Sequence, residues 1–177
     1  GWGVRRRLDY ARSIDEASRT GPEAAELWGH AIAAIAALPD YDGLELSPQL
    51  DLVPIGPDPD SGLWEFAHLQ TGAPAERGPD GRLRLTEATG LVFVLLPGAE
   101  FHMGSQTDDP DGPNYDPGAD ADVPTGVITV EPFFLSKYEM TQGQWIEVTG
   151  ANPSNYGPNH YFRGWNQQER DWSALHP

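Results

Sequence analysis

Two stretches near the start of the chain carry apolar residues at helical spacing. Apolar positions recur every three or four residues through residues 4–19, and again through residues 27–38. This spacing places the apolar side chains on one face of an amphipathic helix. Thr20 begins an S/T-x-x-E capping box, and Pro39 ends the second apolar pattern. The pattern therefore predicts a helical hairpin over residues 1–40.

From residue 41 onward, the apolar residues occur in short runs that are typical of strands. Glycine and proline separate these runs, as expected for turns between short strands. The run at residues 91–96 is apolar at every position, which predicts a strand buried on both faces. We expect it to form a hairpin with the strand that follows. The predicted strands cover residues 50–55, 63–69, 91–96, 100–104, 127–130 and 133–139.

A third helix is predicted close to the end of the strand-rich region. Thr141 and Gln144 have the spacing of a second capping box, and Gly150 is a suitable residue for the left-handed end of a helix. We expect Trp145 to anchor this helix to the core, so that removing its ring would cost about 3 to 5 kcal/mol. Residues 151–177 have no clear periodicity.

These patterns divide the chain into three parts. Residues 1–40 form a helical hairpin, which serves either as a linker or as a partner-binding pair of helices; the linker is the more common use of such a hairpin. Residues 41–90 form an extension of short strands that ends in a polar connector at residues 71–90. Residues 91–177 form a further domain. The expected fold class is α+β.

The composition limits the classes of partner. The 177 residues include 11 Lys and Arg against 27 Asp and Glu, which gives a formal net charge of −16. This charge argues against nucleic acid and anionic membranes as partners, and no apolar run approaches the length of a membrane helix. There is no cysteine, which excludes thiolate metal sites in this stretch. It leaves the cellular compartment open, with the cytoplasm as our working expectation.

An acidic loop at residues 106–122 is the first candidate for chemistry. Placing Gly112 at the turn glycine of an EF-hand puts Thr107 and Gly118 at positions that require acidic ligands. A solvated acidic loop is therefore favoured over a calcium site. The five histidines are scattered without metal-binding spacing, and no hydrolase, nucleotide or dinucleotide motif occurs. The sequence thus assigns no catalytic, cofactor-binding or metal-binding residue.

Aromatic residues are concentrated in the last quarter of the chain. Phe134 and Tyr138, with Trp145, are expected to pack in the core. Another group lies in an irregular segment, where exposed aromatic side chains would line a binding groove. This group comprises Tyr156, Tyr161, Phe162 and Trp165.

Two motifs in residues 91–177 resemble the start of the formylglycine-generating enzyme family, also called the sulfatase-modifying factor family. The first is an apolar strand, then Pro97-Gly98, then the Phe-x-Met-Gly pattern at residues 101–104. The second is the run at residues 127–150, in which a strand leads through Lys-Tyr-Glu-Met-Thr to a capped helix. Residues 22–90 also resemble the segment that precedes this domain in bacterial proteins with a serine/threonine kinase.

The resemblance implies the N-terminal part of a C-type-lectin-like fold with little regular secondary structure. Members of the family include copper-dependent oxidases of a sulfatase cysteine, iron-dependent sulfoxide synthases and non-catalytic modules. We therefore expect a fragment of a longer protein, which is either a metal-dependent oxidase of protein or small-molecule thiols or a non-catalytic binding or regulatory module. The expected partners are a protein or peptide substrate and the remainder of the same polypeptide. Alone, the fragment should expose apolar strand edges and be poorly soluble or molten.

Overall fold

The computed structural model describes residues 3–119, 126–152 and 154, and its elements are helices and antiparallel strands. This confirms the mixed α+β class. The helices are α1 (Val4–Asp15), α2 (Pro22–Ala37) and α3 (Gln142–Thr149). The strands are β1 (Leu52–Pro57), β2 (Trp64–His68), β3 (Glu76–Arg77), β4 (Leu83–Arg84), β5 (Val92–Leu96), β6 (Ala99–Met103), β7 (Gly126–Val130) and β8 (Phe133–Ser136).

The chain divides into two compact units. The first contains Gly1–Leu95 and Phe134–Pro177, and the second contains Leu96–Phe133. Residues 71–90, which the sequence indicates as a connector between domains, run between β2 and β5, and these two strands are neighbours in the sheet of the first unit. The division into domains at residues 40 and 90 stays a prediction.

Both helices of the predicted hairpin are present, but the second begins differently from the prediction. A π-helical turn, Glu16–Thr20, extends α1, and Gly21 then caps α2 without any side-chain hydrogen bond. The predicted capping box at Thr20 is therefore wrong, because Thr20 belongs to the π-helical turn and Gly21 is the N-cap residue of α2. Gly21 is required here, since a Cβ atom would lie 2.5 Å from the carbonyl oxygen of Glu16.

The core of the first unit lies between α2 and the sheet. Trp28 stacks on Phe66 with ring centroids 5.3 Å apart, and Phe134 meets the other side of Phe66 edge-on at 5.1 Å. The predicted packing of Phe134 is thus confirmed. The indole nitrogen of Trp28 donates to the carbonyl oxygen of the fully buried Ser18 at 2.7 Å. This bond satisfies the polar atom of the largest core side chain.

The sheet of the first unit has the strand order β1-β2-β5-β8. Phe66 of β2 stands opposite Pro54 of β1 on one side and Phe93 of β5 on the other. Because β2 and β8 occupy both edges of β5, no edge remains for β6. The predicted hairpin of β5 with β6 is therefore wrong.

The burial of β5 also differs from the prediction that this strand is buried on both faces. Val92 and Leu95 are buried, but Phe93 and Val94 are half-buried. Instead, β2 is buried at four of its five positions, including the carboxylate residue Glu65. The central strand thus carries a charge that a count of apolar residues does not detect.

Helix α3 begins and ends as predicted but presents a different face. Thr141 and Gln144 form the capping box, and Gly150 adopts a φ of 78° at the end of the helix. Gln144 also donates to the carbonyl oxygen of Thr89 at 3.0 Å. Trp145 is 43% exposed and Tyr138 is 44% exposed, so the prediction that they pack in the core is wrong. The polar Gln144, rather than Trp145, ties this helix to the rest of the unit.

The second unit contains the two-stranded ribbon of β6 and β7 and the described part of the acidic loop. In the ribbon, Phe101 stands opposite Ile128, and both side chains are exposed. Gln106 organises the loop, because its side chain accepts from the amides of Asp108 and Asp109, each at 2.8 Å. Within residues 3–119, 126–152 and 154, no three His, Asp or Glu side chains come close enough together to hold a metal ion.

Candidate functional site

A groove with a volume of about 750 Å³ opens on the first unit. Its walls come from the turn between α1 and α2, from β1 and β2, and from the segment that leads into β3. The lining residues lie at positions 16–17, 21–24, 27, 53–55, 67, 69 and 74–77. The volume falls within the range that ligand-binding clefts of proteins occupy, about 300 to 1,000 Å³.

The walls of the groove are largely apolar. Ala17 and Leu27 contribute from the helices and are exposed, while Val53 and Ile55 contribute from β1 and are half-buried. Pro74 and the three residues that follow it complete the lining. Small side chains on the helical wall leave this space open, and the partly exposed Leu27 offers apolar surface to a ligand.

Three carboxylates border these apolar walls. Glu16 lies in the turn between the helices, Glu23 in the first turn of α2, and Glu76 in β3. All three residues are exposed. None of them forms an ion pair with another residue in the described part of the chain.

Among the described residues of the lining, Arg77 is the one cation, and it is already engaged. The Arg77 guanidinium pairs with the Glu65 carboxylate at 2.6 Å and also donates to the carbonyl oxygens of Gly56 and Gly81, at 2.9 and 2.7 Å. Glu65 is fully buried, so this pairing compensates a charge that has no contact with water. The Arg77 charge is therefore used inside the protein and does not neutralise the three rim carboxylates.

Lys137 completes this buried network. Its ammonium group bonds the second carboxylate oxygen of Glu65 and lies 2.9 Å from Asp58. The hydrogen bond from Lys137, together with one from Ser61, lowers the pKa of Asp58 to about 2. Burial opposes the charge of Lys137, but its bonds to Glu65 and Asp58 prevail and raise its pKa. Two carboxylates and two cations balance, so the network is neutral.

A second cluster has the outline of a hydrolase triad. His68 Nε2 lies 3.1 Å from Asp51, and His68 Nδ1 lies 3.1 Å from the Thr71 hydroxyl. However, Thr71 is buried, and its hydroxyl is used by the backbone: it donates to the carbonyl oxygen of His68 and accepts from the amide of Leu91. A hydroxyl held in this way is not presented to a substrate.

Asp51 gives this cluster a structural role. It accepts hydrogen bonds from the hydroxyl of Tyr10 in α1 and, at 3.0 Å, from the amide of Gln70. Burial acts to raise the pKa of Asp51, but hydrogen bonds from His68 and Tyr10 outweigh it, and the net pKa is lowered. The carboxylate thus joins the first helix to the turn that follows β2.

The residues singled out in the sequence do not form this groove. The described acidic loop belongs to the second unit, and the aromatic group comprising Tyr156, Tyr161, Phe162 and Trp165 lies outside the described residues. The copper or iron that the resemblance implies does not fit the residues at hand: the chain has no cysteine, and the described residues bring no ligand set together. No step is assigned to a metal.

The groove was missed because it is assembled from distant segments. The helical wall is hard to predict from the sequence, since Ala17 and Pro22 stand between the larger apolar residues of the two helices. Nothing in the local pattern places residues 74–77 in the same cleft as this wall.

Comparisons with protein-family models, with curated proteins and with solved structures find no match to the chain. Among the described helices, none combines the length and the apolar character that a membrane crossing requires.

Proposed function

We propose that the chain is the N-terminal part of a formylglycine-generating-enzyme-like protein, together with the segment that precedes this domain in kinase-linked bacterial proteins. The support is the pair of motifs at residues 91–104 and 127–150. The mixed α+β class and the short strands agree with a C-type-lectin-like domain. In this proposal the described part of the chain is a non-catalytic recognition module.

The groove of the first unit carries the proposal of a recognition role. It combines apolar walls, a volume suited to a ligand, and three carboxylates that no described cation neutralises. A surface with these properties binds a ligand through apolar contacts and fixes its orientation through a few charges. The network around Glu65 and the cluster around His68 use their polar groups in hydrogen bonds within the protein, as the bonds of Glu65 and Thr71 indicate.

A metal-dependent oxidase of thiols is the second candidate, and it concerns the longer protein. The observation in its favour is the family resemblance of the same two motifs. Its test is copper-dependent oxidation of a cysteine-containing sulfatase peptide by the full-length protein.

Selection of peptides from a displayed random library tests the recognition role. The 177-residue chain is the target, and the variant Ala17→Trp, which fills the groove from an exposed position, is the counter-target. The matched control is Ala25→Trp, which adds the same ring at an exposed position of α2 outside the groove. The proposal predicts peptides that bind the wild type and the control but not the Ala17→Trp variant. A selection in which no peptide discriminates between the two tryptophan variants contradicts it.

A further inference from the structure

We infer that the groove binds a peptide segment in which apolar side chains are interspersed with lysine or arginine. This inference rests on the proposed recognition role and names the ligand class of the same site. Three features support it: the apolar walls, the position of the carboxylates, and the nature of the bordering strand.

The apolar walls require apolar side chains in the ligand. Leu27 stands 39% exposed at the groove, and Val53 and Ile55 are half-buried there. Removing this surface from water is the non-directional part of binding, and it scales with the apolar area that the ligand covers. A wholly polar peptide would leave this contribution unused.

The rim of the groove requires positive charge. Glu16, Glu23 and Glu76 come from three separate elements and border one cleft. The neighbouring buried network is neutral because Arg77 and Lys137 balance its two carboxylates. No cation of the described residues therefore compensates the rim charge, and complementary charge steers a cationic partner to the cleft.

Three separated carboxylates favour a peptide over a small amine. The carboxylates belong to three separate elements, and a peptide presents several cationic side chains along its length, whereas a small amine presents one. The same carboxylates repel phosphate groups, which opposes nucleic acid and anionic lipid as occupants.

The strand that borders the groove opposes binding by addition of a further strand. β1 lies at an edge of the four-stranded sheet, but Pro54 and Pro57 in it have no amide proton. Proline at the edge of a sheet blocks backbone pairing with another chain. Recognition therefore proceeds through side chains that enter the groove rather than through main-chain pairing.

Three fluorescently labelled peptides of equal length test the ligand class against the 177-residue chain. One alternates leucine with lysine, one leucine with glutamate, and one serine with lysine. Fluorescence anisotropy is measured at a salt concentration of about 0.15 M, which screens long-range attraction between exposed charges. We expect the leucine and lysine peptide to bind most tightly, because only it satisfies both the walls and the rim.

Matched variants locate the binding. The triple variant Glu16→Gln, Glu23→Gln and Glu76→Gln should weaken the leucine and lysine peptide about tenfold, since each exposed ion pair contributes modestly. The control triple variant Glu26→Gln, Glu45→Gln and Glu87→Gln removes the same charge from exposed positions outside the groove and should change binding less than twofold. Equal weakening by both triple variants overturns the inference, because the attraction would then be that of the whole acidic chain.

The pattern of failure separates the two proposals. If the Ala17→Trp variant abolishes binding of the leucine and glutamate peptide rather than the leucine and lysine peptide, the groove is a recognition site but the ligand class is wrong. If Ala17→Trp and Ala25→Trp bind all three peptides equally, both the ligand class and the recognition role are refuted. The wild-type chain must first give a cooperative thermal melt, which would refute the poor solubility expected of it from the sequence; without such a melt, the same variants are compared in the longer protein. Circular dichroism spectra of the variants confirm that each retains the fold under comparison.

Discussion

Replacing Lys137 by methionine tests the buried ion network most directly. Lys137 is the only lysine of the chain, and its ammonium group contacts Glu65 and Asp58. Methionine keeps a flexible side chain of similar length but removes the charge. The substitution therefore leaves packing near residue 137 largely intact and leaves the fully buried carboxylate of Glu65 with Arg77 as its remaining described cationic partner.

The expected cost follows from the burial of Glu65. Removing one partner of a buried ion pair costs about 3 to 5 kcal/mol when the other charge is left uncompensated. Because Glu65 keeps Arg77 and the Lys137 side chain is 26% exposed, we expect a smaller cost of about 2 kcal/mol for Lys137→Met. In a Glu65→Gln background the same substitution should cost less, since the fully buried charge is gone and only the pairing of Lys137 with Asp58 is lost.

Urea unfolding followed by tryptophan fluorescence measures these free energies. The control is Arg82→Met, which breaks an exposed pair with Asp60 and should cost less than about 1 kcal/mol. If Lys137→Met costs no more than this control, or costs the same in the wild-type and Glu65→Gln backgrounds, then the contact between Lys137 and Glu65 does not stabilise the fold and the reasoning is refuted.

Three further predictions concern the first unit. The pKa of Asp58 is about 2 in the folded chain and 3.8 ordinarily. The ionised Asp58 carboxylate therefore stabilises the fold fully above pH 3.8, and this stabilisation is lost as the pH falls through the folded pKa. Asp58→Asn should reduce the loss of stability between about pH 5 and pH 2 in acid titrations. Gly72→Ala places a Cβ atom 2.5 Å from the carbonyl oxygen of Ala88 and should cost about 1 to 3 kcal/mol in urea unfolding, whereas Gly29→Ala in α2 should be neutral or stabilising. Trp145→Ala should cost less than the roughly 3 to 5 kcal/mol of a fully buried tryptophan, because the residue is 43% exposed; a loss within that range would show that the ring packs as a core residue.

The helices could be predicted because their signals are local. The apolar spacing indicates α2, and Thr141 with Gln144 marks the start of α3. The start of α2 could not be predicted, since a π-helical turn is a departure from the usual helix that the residues before Gly21 do not announce. Trp145 shows a related limit: helical spacing identifies an apolar residue but not whether the adjacent Gln144 makes the deeper contact.

Strand pairing and the groove depend on contacts between distant residues. The pattern at residues 91–96 predicts a strand, but its partners are β2 and β8 rather than the next strand in the chain. Glu65 lies among apolar residues of β2, and its burial is favourable only because Arg77 and Lys137 pair with its carboxylate. The groove likewise needs the helical turn and residues 74–77 to line one cleft, which no local pattern specifies.

The most direct test of the groove as a recognition site is a map of amide chemical shifts in the 177-residue chain as the leucine and lysine peptide is added. The account predicts that the largest changes cluster at Ala17, Leu27, Val53 and Glu76, and that they disappear in the Ala17→Trp variant. Changes that spread over the acidic surface, or that are the same in that variant, would contradict it.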